Sequence, residues 1–169
     1  MSALAVQLHS SAKTGGKNEW NTPRVVLDGV RRVAAIAFDP CPGVGDLVAA
    51  ETRAGADEDG LGIDWGERSG GGLVYCNPPY SECSRWAVKI AMEAALSTRI
   101  IVLVAARTDT RWWRVLWDAS DAVGLWRGRL TFGDAKSPAP FPSALFGLNV
   151  SQRRFRQAFS AVAEVVVPC

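Results

Sequence analysis

An α/β fold on a mostly parallel sheet flanked by helices is what this sequence predicts, from three observations. Short apolar runs of strand length alternate with segments of helical periodicity. The apolar runs stop abruptly in glycine, proline or asparagine loops. No internal repeat interrupts the alternation, which is the order expected of crossover helices on a parallel sheet.

The elements follow in order. Residues 1–17 are rich in Ser, Gly and Lys and read as a flexible tail, with residues 18–169 expected to form a single domain. Thr22 as N-cap and Pro23 in the first helical position predict a short helix to about Arg32. AAIAF is the first strand, ending at Asp39-Pro40-Cys41-Pro42-Gly43-Val44-Gly45, with a helix expected from about Asp46 to Arg53. Residues 54–72, rich in Gly and Asp, read as loop broken by Asp64-Trp65. LVYCN is a second buried strand, stopped by Pro78-Pro79, and SRWAVKIAMEAAL is a helix with Trp86, Ile90 and Ala94 on one face. IIVLVAA is the third strand. A helix through Trp112, Trp113 and Leu116 follows, with Thr108 or Asp109 as its cap. AVGLW, ALFGLNV and AVAEVVV supply further strands.

Composition narrows the chemistry. The chain has 169 residues, 48% hydrophobic and 21% charged, enough to bury the core of one ordinary domain. Its apolar runs are far shorter than the roughly 20 residues that span a bilayer, and the N-terminus lacks a signal-peptide pattern, so a soluble intracellular protein without a membrane partner is expected. Cys41, Cys76, Cys83 and Cys169 form no C-x-x-C pair, and the single histidine is His9 in the tail. A zinc site, a disulfide framework and a histidine-based triad are all disfavoured, and no metal is expected. Charge is uneven: residues 1–98 carry 9 Lys and Arg against 12 Asp and Glu, while residues 99–169 carry 10 against 5. A basic half fits a nucleic-acid partner, although a solvated basic surface explains it equally well.

Ligands of open α/β sheets sit beyond the carboxyl ends of strands, where both unusual loops fall. Gly43-x-Gly45 by itself is a weak signal, because glycines in strand-to-helix turns often serve geometry alone, and it lacks a dinucleotide or P-loop pattern. Asn77-Pro78-Pro79-Tyr80 says more. Two prolines hold the backbone rigid, the Asn77 amide oxygen and the Pro78 carbonyl provide two acceptors, and Tyr80 presents a flat ring. Two acceptors beside a stacking face suit a planar amine; the plainer reading is a rigid turn with a packed tyrosine.

D-P-x-x-G-x-G followed by N-P-P-Y resembles the amino-methyltransferases that use S-adenosylmethionine, and more narrowly the phage-type DNA N-6-adenine methyltransferases, or phage Dam family. The residues that carry the resemblance include Trp20-x-Thr22-Pro23, Phe38-Asp39-Pro40-Cys41, Asp59-Gly60-Leu61 with Asp64-Trp65, and Asn77 to Ser81. Trp86, Arg107 to Thr110 with Trp112, Arg127-x-Arg129 with Phe132, and Phe141 to Ala144 continue it, over about residues 18–150. The resemblance implies a Rossmann-like methyltransferase fold and methyl transfer from S-adenosylmethionine to the exocyclic amine of a flipped-out adenine, directly and in line. It implies that Trp20, Thr22, Pro23, Asp39, Pro40, Gly43, Gly45, Asp64 and Trp65 hold the cofactor. Asn77, Pro78, Pro79 and Tyr80 would grip the base. The interval from Gly45 to Asp64 is short, leaving Glu51 and Asp59 as the acidic residues available to the cofactor ribose.

Because a duplex base must be flipped to react, the basic half gains a use: Arg107, Arg111, Arg127 and Arg129 are placed to bind double-stranded DNA phosphates, with Trp112 or Trp113 supporting the opened duplex. For Trp112, Trp113 and Trp117 core packing is the competing reading, and Arg153, Arg154 and Arg156 read as a solvated helix face. The resemblance also implies a bacterial host cytoplasm and a phage, prophage or restriction-modification setting. Methylation of cytosine, an RNA base or protein glutamine remains open, as does a nucleic-acid-binding protein that has lost turnover.

Overall fold

Val, Ile, Leu and Phe at consecutive positions favour strands that can be buried on both faces, and the chain uses its apolar runs that way. The computed structural model describes residues 21–43, 47–133 and 135–168. In chain order these form α1 (Arg24–Val33), β1 (Ile36–Asp39), β2 (Thr52–Arg53), α2 (Trp65–Arg68), β3 (Leu73–Cys76), a 3-10 turn (Tyr80–Glu82) and α3 (Cys83–Ala95). Then come β4 (Arg99–Ala105), α4 (Arg111–Ala119), β5 (Ala122–Trp126), β6 (Ser143–Leu148), α5 (Gln152–Phe159) and β7 (Ala163–Val166).

The strands make a seven-stranded sheet in the order β2-β1-β3-β4-β6-β5-β7. The first four in that order pair in parallel. β6 is antiparallel to both β4 and β5, and β7 is antiparallel to β5. The sheet is therefore mixed: β1 to β5 run one way and β6 and β7 the other, so the expectation of a mostly parallel sheet holds in part. The reason lies between β5 and β6: the described residues of 127–142 contain no helix to carry the chain across a face of the sheet. Without a crossover the chain can only return antiparallel, and β6 enters between β4 and β5.

β4 shows how the two faces are divided. Ile101 and Leu103 pack with α1 and α5 through Val26, Val30, Phe155 and Phe159. Ile100, Val102 and Val104 pack with α3 and α4 through Trp86, Ile90, Trp113 and Leu116. Alternate side chains of one strand thus feed two cores, one on each side of the sheet. The α1–α5 contact is close at Gly29, where a Cβ would lie 2.3 Å from the Phe159 ring.

Local details correct several expectations. α1 begins at Arg24, with Pro23 in the cap position and no side-chain cap, because the Thr22 hydroxyl is engaged elsewhere. No helix occupies the described part of 46–53; Thr52–Arg53 instead add a parallel strand beside β1, and the Thr52 hydroxyl donates to the Ala37 carbonyl. α4 is capped by Thr110 rather than Thr108 or Asp109, with its Oγ1 accepting from Trp113 N at 3.3 Å. The Gly- and Asp-rich stretch contains the single turn α2, started by Asp64.

Candidate active site

β1, β3, β4 and β5 point the same way, so Asp39, Asn77, Ala106-Arg107 and Arg127 all follow strand ends at one edge of the sheet. Asp39 and Asn77 leave adjacent strands. The described parts of the two sequence-predicted loops are thereby brought to one edge, side by side because β1 and β3 are neighbours.

The Asn77 loop is built from β3 outward. Tyr75 and Asn77 lie two apart and share a face. Asn77 Nδ2 donates to Thr22 Oγ1 at 3.2 Å, and Thr22 Oγ1 is 2.9 Å from the Tyr75 hydroxyl. Tyr75 is wholly buried and Thr22 is nearly so. With its nitrogen directed to Thr22, the Asn77 amide turns its oxygen the other way. Pro78 is buried, and the Pro79 carbonyl accepts from Glu82 N at 2.9 Å, which starts the 3-10 turn carrying Tyr80. Phe141 and Phe132, from the segment before β6, stand nearly perpendicular to the Tyr80 ring, with centroids 5.3 and 6.2 Å away.

Burial sets the charge state of these groups. It pushes the Tyr75 phenol well above its ordinary range, against the opposing effect of its hydrogen bond with Thr22, and it raises Tyr80 likewise. It also raises Cys76, and it raises Cys83 to about 11. Cys41 Sγ touches Cys76 Sγ at 3.5 Å. At neutral pH the Tyr75 and Tyr80 phenols and the Cys76 and Cys83 thiols are protonated, so they supply neither a phenolate base nor a thiolate nucleophile.

Asp39 is 3% exposed and its Oδ1 accepts from Cys41 N at 3.0 Å, a short turn that closes the strand end. Pro40 meets Asp59-Gly60-Leu61: a Cβ on Gly60 would lie 1.9 Å from the Pro40 carbonyl oxygen, so only glycine permits this approach. Asp59 Oδ1 accepts from Leu61 N and fixes the turn. Gly43 is exposed beside Asn21, whose Oδ1 a Cβ there would approach to 2.5 Å. Thr22-Pro23 therefore enter the edge close to Gly43. Trp20 and Gly45 lie outside the described residues.

Asp64 and Trp65 lie beyond that loop and differ sharply in exposure. Asp64 is exposed, and its Oδ1 accepts from Glu67 N at 2.8 Å. Trp65 is wholly buried; its Nε1 donates to the Gly60 carbonyl at 2.8 Å and its ring lies 6.1 Å from that of Trp86. Its backbone N–H donates to Glu93 Oε2, and buried Glu93 pairs with Lys89 at 2.5 Å, while Lys89 Nζ also donates to the Ile63 carbonyl. This brace holds the 59–65 segment against α3.

Arg107, Arg111, Arg127 and Arg129 are all exposed at or beside the same edge. Arg127 is already bonded to Glu164 at 3.2 Å and to the Ser160 carbonyl at 3.2 Å. Trp113 is buried against Phe146 at 4.8 Å and stacks with Trp117, and Trp112 packs edgewise on Trp113. All three tryptophans belong to the core under α4.

Sequence reasoning missed the Thr22–Tyr75–Asn77 chain and the Phe132–Phe141 pair beside Tyr80. Strand alternation could have aligned Tyr75 with Asn77; nothing local could have brought in Thr22.

Among the described residues no group of three or more His, Cys, Asp or Glu could hold a metal ion, and no helix is long and apolar enough to cross a membrane. A family model described as DNA N-6-adenine-methyltransferase (Dam) matches residues 9–166. No curated protein matches the chain.

Proposed function

The chain belongs to the DNA N-6-adenine-methyltransferase (Dam) family, and from that premise we propose that it transfers a methyl group from S-adenosylmethionine to the N6 amine of adenine in double-stranded DNA, on a base flipped out of the helix. The observation that carries the reading is the Asn77 amide, tied through its nitrogen to Thr22 one strand away from Asp39.

Residues at the end of β1 fit the cofactor. A buried carboxylate at a strand end, beside a turn where a Cβ on Gly60 would strike the Pro40 carbonyl, suits a ligand with a cationic amino-acid portion. Asp39, Pro40, Gly43 and Gly45 would hold that portion, with Trp20, Thr22 and Pro23 bordering it. Asp64 would face the adenine amine from the exposed rim, and Trp65 would support the Gly60 turn from below. The bound cofactor supplies an electrophilic methyl group on a sulfonium.

The protein's own part is positioning. The Asn77 oxygen and the Pro78 carbonyl accept the two N–H groups of the base amine, which draws its lone pair out of conjugation with the ring and aims it. Tyr80 stacks on the flipped base, and Pro79 keeps the loop rigid. Fixed acceptors cost no reorganisation as positive charge develops on the amine, so orientation and electrostatics carry the acceleration. Arg107, Arg111, Arg127 and Arg129 contact phosphates and offset part of the cost of opening the duplex, a few kcal/mol.

The test is incubation with labelled S-adenosylmethionine and unmethylated duplex DNA, followed by nucleoside analysis. Labelled N6-methyladenine is expected. Label in cytosine, or in protein alone, would overturn the reading.

A further inference from the structure

We propose that Tyr75 and Thr22 are positioning residues that fix which way the Asn77 amide faces, an inference that rests on the adenine-methylation reading above. An asparagine side chain is nearly symmetric in shape but opposite in polarity at its two ends. Reversed by half a turn, Asn77 would present N–H donors to an amine that is itself a donor, and the grip on the base would become a repulsion. Something must select one orientation.

The selector is a proton count. The Thr22 hydroxyl has one hydrogen and can also accept. Its oxygen lies 2.9 Å from the Tyr75 hydroxyl and 3.2 Å from Asn77 Nδ2. Either hydroxyl can be the donor at this distance; with Thr22 giving its hydrogen to the Tyr75 oxygen, as the proposal requires, Thr22 has only lone pairs to offer residue 77. An amide nitrogen is welcome there and an amide oxygen is not. Tyr75 is wholly buried between the sheet and α1, which holds its hydroxyl within reach of Thr22, and burial keeps the phenol neutral. Burial of Thr22 also excludes the water that could otherwise relay a proton and blur the choice. Neither residue touches the base; both act through Asn77.

The test compares single-turnover methylation at saturating DNA and cofactor with the two binding affinities. Tyr75→Phe keeps the ring and removes the oxygen, so Thr22 can turn its hydrogen toward Asn77 and admit the reversed amide. The rate should fall about threefold to tenfold, the worth of one hydrogen bond, with both affinities held within about twofold. Thr22→Val should also be slow, whatever it does to cofactor affinity, and Thr22→Ser should recover most of the rate that valine loses. In an Asn77→Asp background the two carboxylate oxygens are equivalent and reversal has no consequence, so adding Tyr75→Phe should cost nothing further. Thermal unfolding of each variant registers any loss of folded protein.

A parental rate in Tyr75→Phe overturns the proposal. So does equal loss in Thr22→Ser and Thr22→Val, or a rate loss in Tyr75→Phe matched by loss of cofactor affinity. Should Asn77→Ala itself methylate adenine at the parental rate, the site reading fails instead, and the two failures are distinguishable.

Discussion

Asn77 Nδ2 donates to Thr22 Oγ1 at 3.2 Å across 55 positions of sequence. The segment that enters α1 is thereby pinned to the loop that leaves β3. A single hydroxyl binds the two parts of the edge where a methyl donor and an acceptor base would have to meet, so displacement of either part is felt by the other.

Asp39 and Asn77 should separate binding from chemistry. Asp39→Ala is expected to weaken S-adenosylmethionine binding at least tenfold, about 1.4 kcal/mol. Asn77→Ala should remove most turnover while cofactor affinity stays within a few-fold. Cofactor titration by calorimetry beside single-turnover methylation reads both, and unchanged affinity in folded Asp39→Ala would take Asp39 out of the site.

Tyr80 is held by Phe141 and Phe132. If its ring stacks on the flipped base, Tyr80→Ala should cost roughly 1–3 kcal/mol of that interaction. The loss should shrink on a duplex whose target base is mispaired, because less unstacking is then required. An equal loss on matched and mismatched duplexes would point to a packing role alone.

The arginines should show in salt dependence. Each phosphate contact contributes about 0.9 to the slope of log affinity against log salt, so Arg107→Ala, Arg111→Ala and Arg129→Ala should each flatten the line by about that amount. Arg127 is already paired with Glu164 and Ser160, and its removal should change the slope less. Fluorescence anisotropy with a labelled duplex measures this, and a flat line for the parent would argue against phosphate contacts.

Lys89 neutralises Glu93, which is 3% exposed and accepts from both Trp65 N and the Thr98 hydroxyl. Lys89→Met strands a buried carboxylate, with an expected loss of about 3 kcal/mol. The paired substitution Lys89→Met with Glu93→Gln should recover part of it, because a neutral amide costs less to bury. Urea unfolding of the two variants gives the comparison.

Alkaline pH should destabilise the fold through the same edge. The Cys76 and Cys83 thiols and the Tyr75 and Tyr80 phenols all have folded values raised above their ordinary 9.0 and 10.0. Above those ordinary values the unfolded chain binds fewer protons than the folded one, so the slope of stability with pH is negative. Their contribution is complete below 9.0 and is lost as pH rises through the folded values. Urea midpoints from neutral to alkaline pH should therefore fall, and Cys83→Ala should reduce the decline.

The local pattern of residues determined most elements of this protein. IIVLVAA was bound to be a buried strand, SRWAVKIAMEAAL a one-sided helix, and Asn77-Pro78-Pro79 a stop, because periodicity and proline act within a few residues. The same locality placed Asp39 and Asn77 at strand ends, and so made the candidate site legible.

Tertiary structure decided the rest. Thr22 looked like a helix cap, but its hydroxyl is held by Tyr75 and Asn77, partners 53 and 55 positions away. Residues 46–53 looked helical, yet the open edge of β1 recruited Thr52–Arg53 into the sheet. Trp65, expected among the residues that hold a cofactor, is wholly buried and bonded to the Gly60 carbonyl. The direction of β6 followed from the absence of a helix among the described residues of its connection rather than from its own residues. A strand's pattern says that it will be buried, whereas its neighbours, and the partner each polar group finds, depend on which ends meet once the two cores close.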